Sequence, residues 1–153
     1  MPRIYFDNAA TTPLDPRVRA AMQPYLDGDF GNPSSLHSEG RAARAAVEQA
    51  RRHVAALVNA PENGVIFTAS GTEANNLALR GVCAAARGKP IHVITSAIEH
   101  PAVRQVIRVL GRDGVATSVL RVSADGIVDP DELRAALRPE TRLVSIMAAN
   151  NVI

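Results

Sequence analysis

The chain has 153 residues, 46% apolar and 21% charged, which fits one globular core and argues against disorder. No apolar run approaches a membrane span and Met1–Asp7 lacks a signal-peptide core, so the expected location is cytoplasmic, with no membrane partner. The net charge of +2, basic residues spread along helices, and only three Phe and two Tyr argue against nucleic-acid binding.

Tyr5–Asp7 reads as a short strand entering the polar turn Asn8–Pro13. Pro16 opens a helix over Arg17–Leu26, and Gly28, Gly31 and Pro33 mark a loop. Ser38 can cap a long helix to about Asn59, with Ala43, Val47, Ala50, Val54 and Leu57 along one face. Val65–Thr68 reads as a buried strand after the turn signal Asn63-Gly64, and Thr72–Ala86 as a helix. After the turn Gly88-Lys89-Pro90, Ile91–Thr95 is a strand and Ala102–Leu110 a helix ending at Gly111. Thr117–Val122 is a third strand, and Asp125-Gly126 a turn. Asp129-Pro130-Asp131-Glu132 carries a cap, a first-turn proline and a third-position carboxylate opening a helix to Leu137. Leu143–Met147 is a fourth strand, whose near-continuous apolar run predicts cover on both faces.

Such alternation predicts an α/β fold with a mainly parallel sheet and helices on both faces. Ligands of such sheets collect beyond the carboxyl ends of the strands. Ser70-Gly71-Thr72, Ser96–His100 and Ala149-Asn150-Asn151 therefore compete for one cleft.

Each of these segments has two readings. A strand passing through Ser70-Gly71-Thr72 into a helix leaves backbone N–H groups unpaired and aimed at one spot, where phosphate is the commonest guest. The same residues also serve as a simple capped turn. His100, just before Pro101, either caps the next helix or offers a flat ring for stacking and nitrogens for proton transfer. Asn150-Asn151 either forms a turn or hydrogen-bonds a ligand oxygen. His37, His53, His92 and His100 show no ligand spacing, so no metal site is expected. The single cysteine, Cys83, lies in an apolar helix stretch and reads as a buried inert thiol.

Taken together, five segments resemble the pyridoxal-phosphate-dependent cysteine desulfurases of the class V aminotransferase family. They are Phe6–Pro13, Gly31–His37, Phe67–Asn76, Thr95–His100 and Ile146–Asn151, in the family's order and spread over the whole chain. The resemblance implies the N-terminal part, residues 1–153, of the large cofactor-binding domain of a fold-type I enzyme. It further implies that residues 1–15 associate with the small domain. Gly71 and Thr72 would hold the phosphate of pyridoxal 5'-phosphate, and His100 would lie over its ring as the catalytic proton-transfer residue. Asn151 would hydrogen-bond the phenolic oxygen. The family converts L-cysteine to L-alanine, passes persulfide sulfur to an acceptor protein, and works as homodimers. The Gly31–Ser35 loop favours the branch serving iron–sulfur cluster assembly and tRNA thiolation.

The departures are also informative. The chemistry needs a Schiff-base lysine and an acidic partner for the ring nitrogen. The family places both beyond the second asparagine, along with the catalytic cysteine and an arginine for the substrate carboxylate. Lys89, the only lysine among seventeen basic residues, stands before a strand at the wrong end of the sheet, and Cys83 matches no mobile loop. Val152 occupies a position where the family usually has Glu. The chain stops at Ile153 directly after the fourth strand, with no closing element, so it reads as a fragment that is inactive alone. The same features fit a fragment of a selenocysteine lyase or of another class V aminotransferase. A reading from a different class is a non-catalytic dimerisation or scaffold subunit.

Overall fold

The structure, a computed structural model, describes residues 4–86 and 88–153. The chain divides into two compact units, Met1–Phe67 and Thr68–Ile153, where its length alone predicts one core.

The first unit is built on two helices, α1 (Pro16–Asp27) and α2 (Ser38–Leu57). The Asp15 carboxylate caps α1 by accepting from Arg17 N at 2.8 Å, and Pro16 occupies the first turn, where its missing N–H costs nothing. His37, not Ser38, stands at the N-cap of α2, with its ring accepting from Gly40 N. The Gly31–Ser35 loop lies hard against this first turn. A Cβ on Gly40 would sit 2.4 Å from Ser35 O, so only glycine fits there. α2 stops at Leu57, and Asn59 turns the chain at φ 51°, a left-handed conformation asparagine tolerates better than most residues.

Two predicted strands in this unit are absent. Tyr5–Asp7 forms no ladder, and neither does Val65–Thr68. The second segment follows a single turn of 3-10 helix (Glu62–Gly64) and is extended, but Ile66 is 68% exposed. Its Val65 carbonyl accepts from the Arg51 guanidinium at 2.5 Å, and that guanidinium also lies 5.1 Å over the Phe67 ring. A β-branched segment becomes a strand only when another backbone pairs with it, and here a side chain takes the carbonyl.

The second unit carries the sheet, with β1 (His92–Ser96), β2 (Ala116–Leu120) and β3 (Thr141–Ser145) parallel in the order β2-β1-β3. Around it run α3 (Gly71–Ala85), α4 (Pro101–Arg112) and α5 (Pro130–Ala136). α4 runs through Gly111 to Arg112. Both outer strands begin earlier than their apolar runs predict. All five residues of β1 are buried. On one side Val93 packs with Leu79 of α3 and with Val103, Val106, Ile107 and Leu110 of α4. The expected double cover of the last strand is not found. β3 alternates between half-buried and exposed, and Val144 is 40% exposed. In a three-stranded sheet only the middle strand has neighbours on both edges, so the outer two keep bare positions.

At the base of β1, the fully buried His92 ring joins all three strands. Its Nδ1 lies 2.8 Å from Thr141 Oγ1 of β3 and its Nε2 lies 2.9 Å from Ser118 Oγ of β2. Loss of solvent holds its pKa below the ordinary 6.5; nearby Arg138 adds to this and Glu140 opposes it. The unfolded chain therefore takes up this proton at a higher pH than the folded one. Stability from the neutral ring is complete above the unfolded value and falls as pH drops from about 6.5 through the folded value. Urea unfolding at pH 8 and pH 5 should show the chain weaker at pH 5, with that difference reduced in His92→Gln. An unchanged difference in the variant would assign the pH dependence elsewhere.

Candidate functional site

The three strands run parallel, so their carboxyl ends face one way, and the chain there is tightly tied. β1 passes through Ala97–His100 into α4. Glu99, only 5% exposed, accepts through Oε1 from Ser96 Oγ at 2.7 Å and from Met147 N at 2.7 Å. Asn150 Nδ2 donates to Ile98 O at 2.9 Å, and its Oδ1 accepts from Val152 N at 2.7 Å and Ile153 N at 3.1 Å. Glu99 and Asn150 therefore lock the segment after β3 onto the segment after β1. Sequence reasoning named Asn150 as a turn or ligand contact; it makes the turn.

At the start of α3 two side chains accept from backbone N–H groups. Ser70 Oγ accepts from Glu73 N at 3.2 Å, and Glu73 Oε2 accepts from Ala69 N at 2.7 Å. The N–H groups of Gly71 and Thr72 have no partner among the described residues. A Cβ on Gly71 would meet nothing within 4 Å, so the backbone there is open to a ligand. Ser70 is spent on the cap, and the two backbone donors remain unpartnered among the described residues. The Glu73 carboxylate already sits beside the positive end of the helix and weakens its pull on a second anion.

Thr72 and His100 line the same cleft, of ≈ 410 Å³, which runs between α3 from Thr72 to Arg80 and α4 from Pro101 to Val109. His100 is the N-cap of α4, with Nδ1 accepting from Ala102 N at 3.1 Å. A nitrogen that accepts carries no proton, so the neutral ring holds its hydrogen on Nε2. The ring thus caps the helix and also lines the cleft. Asn151 is exposed and is not among the residues around this cleft, although the locks at Glu99 and Asn150 fix its segment beside that of His100.

Sequence reasoning missed Asn76, Arg80 and Gln105, which line the cleft as well. Asn76 Nδ2 donates to Thr72 O at 2.9 Å, and Arg80 Nε donates to Asn76 Oδ1 at 3.2 Å. The available signal was the spacing of Thr72, Asn76 and Arg80, which puts them on one helix face. Lys89 lies before β1, at the opposite end of the sheet, in a hollow of ≈ 420 Å³ shared with Arg142. Cys83 is half-buried against the core rather than fully enclosed, and burial pushes its thiol pKa up, disfavouring the reactive thiolate.

The model of the family described as Aminotransferase class-V matches residues 4–153, and the chain belongs to that family. It is 48% identical over 150 residues to a cysteine desulfurase IscS of Dictyoglomus turgidum, covering 98% of this chain and 38% of that protein. A putative cysteine desulfurase IscS 1 of Bacillus subtilis is 45% identical, with 100% of this chain and 40% of that protein covered. Among solved structures, a NifS-like protein superimposes with a TM-score of 0.93 at 37% identity, over 97% of this chain and 41% of the other. SspA in complex with cysteine gives 0.90 at 35% identity, over 96% and 42%. The fold is thus that of NifS-like pyridoxal-phosphate enzymes, and the chain spans about two fifths of the length of these relatives.

Proposed function

We propose that this chain supplies the phosphate-binding and ring-contacting half of a pyridoxal 5'-phosphate site in a cysteine desulfurase. The observation that carries the reading is the single cleft shared by Thr72, at an open helix start, and His100. The free N–H groups of Gly71 and Thr72 fit a phosphate, worth up to about 2 kcal/mol per charge in a partly buried site. His100 presents a flat ring for stacking and an Nε2–H that donates a hydrogen bond; proton transfer at this ring would require Nδ1 to release the Ala102 amide and take up the proton. Asn151 would donate to the phenolic oxygen of the ring. When bound, the cofactor supplies the electron sink for breaking the carbon–sulfur bond of L-cysteine. L-Alanine leaves and the sulfur passes as persulfide to an acceptor protein, in the service of iron–sulfur cluster assembly. The working form is a homodimer.

Lys89 stands at the far end of the sheet from this cleft, and Cys83 is held against the core. Residues 1–153 by themselves therefore bind cofactor reversibly and do not turn over cysteine. Fluorescence titration checks this. The chain should bind pyridoxal phosphate more tightly than pyridoxal, and His100→Ala should weaken binding by up to about tenfold, the size of a stacking contact. His100→Phe should retain most of that affinity. Equal affinity for the two compounds, or borohydride-stable attachment at Lys89, would overturn the assignment.

A further inference from the structure

Thr72, Asn76 and Arg80 occupy one face of α3 and line the cleft together. They are joined in a row: Arg80 Nε donates to Asn76 Oδ1 at 3.2 Å, and Asn76 Nδ2 donates to Thr72 O at 2.9 Å. A guanidinium has no acceptor and a carbonyl no donor, so both neighbours force the same orientation on the Asn76 amide. The Thr72 carbonyl belongs to the same peptide unit as the Glu73 N–H, which donates to Ser70 Oγ at 3.2 Å. That peptide, directly after the unpartnered Thr72 N–H, is therefore held from both ends.

The side-chain bond to Thr72 O is more than the helix needs, because an α-helical carbonyl already accepts from the backbone N–H four residues on. Asparagine is also a poor helix former, since its side chain competes for backbone groups. Asn75 is half-buried too, but it lies off this face and does not line the cleft. Arg80 is exposed and starts two helical turns, about 11 Å, beyond Thr72. Its direct pull on an anion there is screened, the Debye length being roughly 10 Å at 0.1 M. Its contribution passes through Asn76. We propose that Asn76 and Arg80 are positioning residues for a phosphate at the start of α3: Asn76 fixes the peptide beside the donors, and Arg80 fixes Asn76. The inference rests on the phosphate reading of that helix start, and adds the groups that set its preference for the phosphorylated ligand.

The test reads the ratio of affinities for pyridoxal phosphate and pyridoxal, by fluorescence titration of the purified chain, and hydrogen exchange of the Glu73 amide without ligand. Asn76→Leu removes the donor and favours the helix. It should cut the ratio about threefold to tenfold, the net worth of one hydrogen bond, and leave pyridoxal affinity within about twofold. The Glu73 amide should exchange faster in the same variant. Asn75→Leu, the same change one residue away, should leave the ratio within about twofold. Arg80→Gln places an amide nitrogen where Nε stood and should stay within about twofold of the parent. Arg80→Met has the same reach without a donor and should lower the ratio about threefold. Should Asn76→Leu disturb folding by circular dichroism, Asn76→Ala must show the loss instead. An Asn76 variant with the parent's ratio, or one that loses both ligands alike, overturns the proposal. So does an equal loss in Asn75→Leu, or an equal effect of Arg80→Gln and Arg80→Met. A parent chain that binds the two ligands equally fails earlier, at the phosphate reading, and this inference falls with it.

Discussion

Ile94→Ala should lower the free energy of unfolding by about 2–5 kcal/mol, a large part of the roughly 5–15 kcal/mol that holds a domain together. Ile94 has no exposed surface and sits at the centre of β1, in register with Ser118 on one side and Val144 on the other. Removing its outer carbons forfeits their transfer from water and leaves a void the middle strand of a sheet cannot collapse into. Ile66→Ala removes the same atoms from a residue that is 68% exposed, and should cost under about 0.5 kcal/mol. Urea denaturation of the two variants is the comparison. Similar losses in both would mean that Val65–Thr68 is a buried strand after all.

Glu99→Ala should cost about 2–4 kcal/mol and Glu99→Gln much less. The Glu99 Oε1 accepts from both the Ser96 hydroxyl and the Met147 amide, in a pocket with almost no solvent. Alanine strands both donors, whereas glutamine keeps one acceptor oxygen of the same reach. The amide of Met147 should exchange its hydrogen faster in Glu99→Ala, which reports the lock itself rather than general loosening. The same variant should weaken pyridoxal phosphate binding, because His100 follows Glu99 directly and loses its anchored neighbour. An alanine variant as stable as the parent, with Met147 still protected, would remove Glu99 from this role.

What could be read in advance followed the range of the interaction involved. The cap at Asp15 is a contact between residues two apart, and Asp129 likewise accepts from Asp131 N at 2.8 Å. Ser70 Oγ accepts from Glu73 N and Glu73 Oε2 accepts from Ala69 N, all within one turn. Such contacts are written in short stretches of sequence and survive any tertiary arrangement. His92 shows the opposite case. Nothing near it in sequence distinguishes it from a surface histidine; its two partners lie 26 and 49 residues away.

The resemblance to class V aminotransferases rested on short ordered motifs, and the match over residues 4–153 bears it out. The roles of single residues inside those motifs were harder to separate. Of the two asparagines, Asn150 turned out to be the one tied to the Ile98 carbonyl, and Asn151 the one left exposed. Adjacent identical residues differ only in where the backbone points them, which no local pattern records.

From its sequence alone the chain specified an α/β alternation, the starts of its helices, and the unpartnered backbone N–H groups at Gly71 and Thr72. These depend on turn chemistry and periodicity, which act over a few residues. Only the tertiary structure decided that Val65–Thr68 goes unpaired and that β1 is the enclosed middle strand. It also decided that Asn76 and Arg80 join His100 at one cleft. Strand pairing, burial and the meeting of two helix ends depend on partners far along the chain, and their free energy exists only once those partners have met.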